Sequence, residues 1–365
     1  MEEEGRKKIT VIGSGNWGSA ISLIIGNNTN NYKDIFESQV RMWVHEELID
    51  GRKLTEIINT KHENIKYLPG KKLPDNVIAI ADLLAACHDA DILVFVIPHQ
   101  FVENVCKQLK GQLKKNVLAV SLIKGFLIER TDGTVKLITE KIQEILGIST
   151  AVLMGANLAS EVANNQFCEA TLGCKQFKNQ WPMLKKLFES DTFRINLTED
   201  ANTVELCGVL KNVVACAAGF ADGLGYGYNT KAAIIRLGFI EIILFVELFY
   251  RGSDIRTFFE SCGIADLIAT CNGGRNRKIC EAFIKTNKTV RELEIELLNG
   301  QRVEGPPTAE AICVILKKRN MLMRFPLFAA VDEIFRQKLP PQLLATRLRE
   351  CKGFLPNYWI NTNIQ

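Results

Sequence analysis

Six residues near the amino terminus carry the first chemical signal. Gly13, Ser14, Gly15, Asn16, Trp17 and Gly18 space three glycines as Gly-x-Gly-x-x-Gly. Such spacing also arises by chance, so its context decides. It follows a short apolar run, Ile9 to Ile12, and opens a helical stretch, Ser19 to Ile25. Gly13 permits a tight turn, Gly15 lets the backbone approach a pyrophosphate, and Gly18 lets the helix sit close on the strand. The helix start adds free N–H groups and partial positive charge for phosphates. The plainer reading is a strand-turn-helix that merely uses glycines. Placement in a βαβ unit, with a second apolar run at Val40 to Val44, weighs against it. Glu46 and Glu47 stand just past that run, where an acid accepts from a free ribose 2′-hydroxyl and repels a 2′-phosphate. Arg52 and Lys53 lie close by, yet the two acids favour NAD over NADP. Trp17 is expected to pack the first helix.

Further along, Lys211 and Asn212 sit on a helical stretch. The neighbours of Lys211 on that face, Cys207, Gly208 and Ala215, are small and permit close approach. A lysine there is expected to be partly buried, with its pKa lowered towards neutrality, which suits proton transfer. A surface lysine at a helix turn is the commoner fate, but apolar Val209, Leu210, Val213 and Val214 weigh against it. Asp266 and Thr270, four apart, share a helical face; alone, such a pair is more often a cap or a solvated edge. Gly273-Gly274-Arg275-Asn276-Arg277 falls between two helices. Glycines expose N–H groups and a planar guanidinium grips phosphate, so Arg275 is read as a phosphate ligand and Arg277 as structural. The bland alternative is a glycine-terminated helix with basic caps. Lys124 follows a strand end, the edge where α/β sheets present ligands. His99, after Pro98 at another strand end, reads as a positioning residue rather than an acid or base.

The elements that must hold these groups alternate through the first half. Strand candidates are Val77 to Ile80, Asp91 to Ile97, Val117 to Ile123 and Ala151 to Met154. Ala170 to Gly173 and Phe193 to Leu197 extend the series. Helical stretches lie between them at Asp82 to Asp89, Gln100 to Leu109 and Val135 to Leu146. Strands apolar on both faces imply a buried, mostly parallel sheet. After Leu197 the texture is helical: Thr203 to Phe220, Thr230 to Tyr250, Arg256 to Thr270, Arg275 to Lys285, Val290 to Leu298 and Thr308 to Lys318. The predicted architecture is α/β: a Rossmann-type N-terminal domain over 1–199, followed by an all-α domain over 200–365.

Bulk properties agree with a soluble two-domain chain. Its 365 residues carry 45 basic and 41 acidic side chains, a net +4 too balanced for nucleic acid or an anionic membrane. The apolar stretch Phe239 to Phe249 is broken by Glu241 and Glu247 and is short for a span, so no membrane insertion is expected. The charged start, Met-Glu-Glu-Glu-Gly-Arg-Lys-Lys, lacks a signal-peptide core. The Asn-Ile-Gln end is no peroxisomal address. Eleven scattered cysteines suit reduced thiols in a cytoplasm, many as small core residues. Four histidines without ligand spacing predict no metal site.

Six motifs then recur in order: Gly-Ser-Gly-Asn-Trp-Gly-Ser-Ala (13 to 20), Pro-His-Gln-Phe (98 to 101), Leu-Ile-Lys-Gly (122 to 125), Met-Gly-Ala-Asn-Leu-Ala-Ser-Glu (154 to 161), Leu-Lys-Asn-Val-Val-Ala (210 to 215) and Gly-Gly-Arg-Asn-Arg-Lys (273 to 278). From about Lys8 to about Phe335 the chain resembles the cytosolic NAD-dependent glycerol-3-phosphate dehydrogenases of eukaryotes. The resemblance implies exchange of a hydride between NAD and the pair glycerol 3-phosphate and dihydroxyacetone phosphate, in a homodimer. It makes Lys211 the catalytic base or acid, with Lys124, Asn212, Asp266 and Thr270 as polar neighbours of the reacting carbon. Arg275 and Asn276 would hold the substrate phosphate. Phe101 and Ala159 would line the nicotinamide, with Arg275 also near the cofactor. His45 stands where animal members commonly have Phe beside the adenine. Arg302 and Glu304 replace a usual Lys and Gln in a loop that closes over the cofactor. The segment Phe126 to Thr134 and the tail after Arg336 diverge. Such chemistry needs a proton carrier, a nicotinamide near the carbinol hydrogen and a positive field at the oxyanion. Two other readings stand beside it: a related two-half dehydrogenase for a 3-hydroxyacyl group or 6-phosphogluconate, and a non-catalytic NAD-binding protein.

Overall fold

A computed structural model describes residues 5–128, 135–250, 252–286 and 288–350. The first four residues of the charged start, residues 129–134 of the divergent segment, and the tail 351–365 lie outside the described residues. Twelve strands are described: β1 (Lys7–Ile12), β2 (Phe36–Trp43), β3 (Leu48–Ile49), β4 (Arg52–Lys53), β5 (Val77–Ile80), β6 (Ile92–Phe95), β7 (Leu118–Ser121), β8 (Phe126–Ile128), β9 (Val135–Leu137), β10 (Ser149–Met154), β11 (Cys168–Gly173) and β12 (Phe193–Thr198).

Eight of these build one sheet in the order β12-β11-β10-β7-β6-β1-β2-β5. β1 is central because its apolar residues are matched on both sides, Val11 facing Met42 of β2 and Val94 of β6. Every residue of β6 is buried, as a strand covered on both faces requires. All pairings are parallel except β10 with β11. Read from β5, the first six strands in chain order lie 3-2-1-4-5-6, the doubly wound order. Ligands bind there outside the strands' carboxyl ends, where the order reverses between β1 and β6.

The expected helices lie between these strands, at Asn16–Asn31, Leu83–Cys87, Val102–Leu109 and Ile138–Leu146, with Leu54–Lys61 in addition. One expectation shortens. Val135–Leu137 is not helical but pairs with β8, its alternate residues Val135 and Leu137 buried. The helix begins only at Ile138, where buried Glu205 accepts from the Ile138 N–H at 2.6 Å and the Thr139 hydroxyl at 2.6 Å.

By its contacts the chain divides into two compact units, residues 5–124 with 137–205, and residues 125–128 and 135–136 with 206–350. The second is built on helices Ala201–Gly223, Tyr228–Phe249, Asp266–Gly273, Arg275–Lys285, Val290–Leu298, Gly305–Lys318, Pro326–Phe335 and Leu344–Glu350, the first of which starts in the other unit. Ala201–Gly223 is long and apolar enough to cross a membrane, but its apolar window is wholly buried, as in a core helix. The continuous helix expected over Arg256 to Thr270 is broken. A 3₁₀ turn, Ile255–Phe259, is followed by a π turn, Ser261–Ala265, before the α-helix starts at Asp266. Asp254 caps the tight turn by accepting from Arg256 N–H at 2.9 Å, and Gly263 passes under the Phe258 carbonyl, where any Cβ would collide. None of the ten described cysteines forms a disulfide, and all are buried.

Candidate active site

The glycine turn sits at the carboxyl end of β1, at the strand-order reversal. Gly13 has φ +119°, and a Cβ there would lie 2.5 Å from the Val96 carbonyl oxygen. A Cβ on Gly18 would strike the Gly13 carbonyl. Gly15 differs, since a Cβ there meets nothing within 4 Å. Open space is therefore left beside Gly15, while Gly13 and Gly18 allow strand and helix to pack. Gly15 is the N-cap of helix Asn16–Asn31, and no side chain caps that end. Its first N–H groups and the helix dipole suit an anion. Asn16 is exposed and Ser14 buried. Trp17 turns into the core, edge-on to Phe193 at 6.2 Å, which is a packing role.

Other residues of the first unit stand at neighbouring strand ends. His45 is exposed just past β2. The two acids after it are engaged internally. Glu46 accepts from the Thr55 hydroxyl at 2.6 Å, and Glu47 accepts from the Tyr67 hydroxyl at 2.8 Å and from the Lys66 ammonium. Burial opposes ionisation of Glu47, but the bonds from Lys66 and Tyr67 outweigh it and hold its carboxyl below the usual range. Phe101, half exposed, ends a 3₁₀ turn that follows β6 and contains His99. Ala159 starts a short helix after β10. Lys124, past β7, donates to the Gly155 carbonyl past β10 at 3.3 Å.

In the second unit the structure brings Lys211, Asp266 and Thr270 together. The Lys211 ammonium donates to the Asp266 carboxylate and, at 2.6 Å, to the Thr270 hydroxyl, which itself donates to Asp266 at 3.3 Å. Lys211 is 5% exposed and Asp266 3%. So the lysine is buried in a polar triangle, its charge balanced by a carboxylate. The π turn just before Asp266 sets where this helix begins. One residue along, Asn212 accepts from the Asn276 amide at 3.0 Å, and Asn276 in turn accepts from Gly305 N–H at 2.8 Å. A Cβ on Gly305 would run into Cys216 Sγ, so glycine is required at that helix start.

Arg275, at the start of helix Arg275–Lys285, is exposed and donates to Gln301 at 2.8 Å. Glu304 lies within its electrostatic reach. Arg277 faces elsewhere, donating to Asp222 at 2.6 Å and pairing with Glu281 at 2.7 Å, in keeping with a structural role. Buried Glu294 ties down the loop before Gly305, accepting from Arg302 at 3.1 Å and from Val303 N–H at 2.9 Å. Gln301 and Glu294 were passed over in the sequence. Gln301 stands beside Arg302 in a loop that could have drawn notice, but Glu294 reads as one more acid in Glu292, Glu294, Glu296.

A doubly wound sheet with a phosphate-ready turn, joined to a helical unit that buries a lysine between an aspartate and a threonine, defines a two-part dinucleotide-dependent dehydrogenase. Residues 8–180 match the NAD-dependent glycerol-3-phosphate dehydrogenase N-terminus, and residues 200–346 match the C-terminus of that family. The chain belongs to the NAD-dependent glycerol-3-phosphate dehydrogenases. It is 58% identical to the probable glycerol-3-phosphate dehydrogenase 2 of Caenorhabditis elegans, over 94% of this chain and 90% of that one. To the cytoplasmic NAD(+) glycerol-3-phosphate dehydrogenase of Homo sapiens it is 55% identical, over 92% and 95%. The solved glycerol-3-phosphate dehydrogenase of Saccharomyces cerevisiae superposes with a TM-score of 0.88 at 43% identity, over 95% of this chain and all of that one. The family match runs to residue 346, beyond the Phe335 limit read from the motifs.

Proposed function

We infer that this chain is an NAD-dependent oxidoreductase that interconverts sn-glycerol 3-phosphate and dihydroxyacetone phosphate in the cytoplasm. The observation that carries the chemistry is the buried Lys211–Asp266–Thr270 triangle, one residue from the Asn212–Asn276 pair. The turn Gly13, Ser14, Gly15, Asn16, Trp17, Gly18 fits a dinucleotide, because space is left beside Gly15 at an uncapped helix start. Bound NADH supplies the hydride. Residues 1–199 are assigned as the NAD-binding domain and 200–365 as the substrate-binding and catalytic domain.

During reduction, Lys211 gives a proton to the carbonyl oxygen as the carbon gains a hydride; in the other direction it takes the hydroxyl proton. Asp266 and Thr270 hold the ammonium in place through either step. The ammonium also supplies positive field where negative charge develops on oxygen. Arg275 grips the phosphate with a planar fork, a geometry suited to phosphate oxygens. Asn276 holds Asn212 and the Gly305 helix start, so its contribution to substrate binding comes from that fixed backbone and its remaining amide hydrogen. Lys124 is assigned to the substrate as a further polar group. His45, Phe101, Ala159, Arg302 and Glu304 are assigned to cofactor binding. The working form is proposed to be a homodimer.

The test is consumption of NADH by the purified chain with dihydroxyacetone phosphate, run in parallel with NADPH. Turnover is expected with NADH and weakly, if at all, with NADPH. No oxidation of either at high enzyme concentration contradicts the assignment.

A further inference from the structure

Asn64 lies 50 residues from the glycine turn in sequence and yet is bonded to it. It follows helix Leu54–Lys61, whose end is closed by His62 in the left-handed region at φ 49°. Its side chain is fully buried. The amide nitrogen donates to the Ser14 carbonyl at 2.7 Å and to the Ser19 hydroxyl at 2.9 Å, and its oxygen accepts from Tyr67 N–H at 3.2 Å. Ser19 closes the figure by donating to the same Ser14 carbonyl at 3.2 Å. Every one of these residues belongs to the first unit.

The consequence follows from peptide geometry. In a trans peptide the C=O of one residue and the N–H of the next point in opposite directions. With the Ser14 oxygen pinned inward by Asn64 and Ser19, the Gly15 N–H points away from them. Among the described residues that N–H has no partner. The space beside Gly15 is open, and it is there that the proposed function seats a pyrophosphate. A few residues on, Lys66 and Tyr67 both donate to Glu47, two positions past His45. The segment from Asn64 to Tyr67 thus ties the phosphate turn and the end of β2 to one support.

We propose that Asn64 is a positioning residue for the cofactor: by holding the Ser14 carbonyl it aims the Gly15 N–H at the pyrophosphate, so the turn is preformed before the dinucleotide arrives. The proposal rests on the assignment of this turn as the NAD site. It is confined to the pyrophosphate, because Asn64 touches no group assigned to the substrate or to proton transfer.

The test measures dissociation constants of the full chain for NADH, ADP and adenosine, with kcat at saturating NADH. Asn64→Leu keeps the branched outline of the side chain and removes both donated bonds, together with the one accepted from Tyr67 N–H. The expected result is about a ten-fold or greater loss for NADH and ADP alike, no change for adenosine, and kcat within about two-fold of the wild type at saturation. Ser19→Ala removes one anchor only and is expected to weaken NADH and ADP by a few-fold. It decides the matter if Asn64→Leu does not fold. Variants that bind NADH as tightly as the wild type overturn the brace, and so does an equal loss for adenosine and ADP, which signals general damage. A wild-type chain that binds neither NADH nor ADP overturns the assignment of the turn, and the brace with it.

Discussion

Arg275 and Lys211 are the cations to which the proposed function gives the phosphate and the proton, and the structure treats them differently. Lys211 is enclosed and its charge is matched; Arg275 is exposed, with one donor given to Gln301. An exposed fork with donors to spare suits a ligand that comes and goes, whereas an enclosed ammonium suits a proton carrier fixed in place. Removing the fork should cost about two charge-assisted bonds, roughly 3 kcal/mol, or about 100-fold in affinity. Arg275→Ala is therefore expected to raise KM for glycerol 3-phosphate about 100-fold, while the slow oxidation of glycerol changes little. Kinetics on the two substrates check this, and equal losses for both would remove Arg275 from the phosphate. Much of this arrangement was legible in the residues. Gly13, Gly15 and Gly18 declare themselves by spacing, and Lys211 by its apolar neighbours. That Asp266 and Thr270 share a helical face was also readable. What could not be read was their convergence on Lys211, because 55 residues of chain separate the partners. The internal engagement of Glu46 and Glu47 was hidden for the same reason: Thr55, Lys66 and Tyr67 are chemically unremarkable until folded.

Two helices in this chain are started by distant carboxylates. Glu205 caps Ile138–Leu146, and Glu241 does the same for Pro326–Phe335, accepting from Leu327 N–H at 2.6 Å and Phe328 N–H at 2.9 Å. Pro326 has no N–H, so those two donors are the first that helix presents. Both acids are fully enclosed, and burial pushes Glu205 up to about 7 and Glu241 up to about 8, with the helix N–H groups pulling the other way. A carboxyl raised in the folded state binds more protons there than in the unfolded chain between its two pKa values. Its contribution to stability is thus complete below about 4.5 and is lost as pH rises towards 8 for Glu241. Melting temperature is expected to fall between pH 5 and 8 in the wild type and to fall less in Glu241→Gln. Parallel slopes in thermal scans would show that Glu241 does not titrate in this window. The same reliance on a distant cap explains why Val135 to Leu146 reads as one helix in sequence: the one local mark is Glu140 reaching back to the Leu137 N–H at 2.9 Å, and Leu137 itself carries no capping side chain. By contrast Val77–Ile80, Arg275–Lys285 and Val290–Leu298 coincide with their expected bounds, since their limits are set by apolar periodicity and local breakers or caps. Arg256 to Thr270 misled because periodicity cannot distinguish 3₁₀, π and α turns when a glycine such as Gly263 allows them to follow one another.

At the scale of the whole molecule, the two units carry different parts: the doubly wound sheet presents the glycine turn, and the helices bury Lys211. Fold class was readable because the strands that must be covered on both faces are apolar throughout, and because that texture stops after Leu197. Less readable was that residues 125–128 and 135–136 leave the first half to join the second, since a short excursion carries no compositional mark. The division makes the central claim separable, because a change at Lys211 lies outside the unit that carries the dinucleotide turn. Replacement leaves Asp266 buried without its partner, at a cost of about 3–5 kcal/mol, so NADH affinity is measured on the same sample as the control for folding. The decisive measurement is the rate of NADH oxidation by Lys211→Ala with dihydroxyacetone phosphate, both saturating. The prediction is a fall of about 10²–10⁴-fold in kcat with the NADH dissociation constant unchanged; a variant that binds NADH normally and turns over at close to the wild-type rate would show that the proton travels by another group.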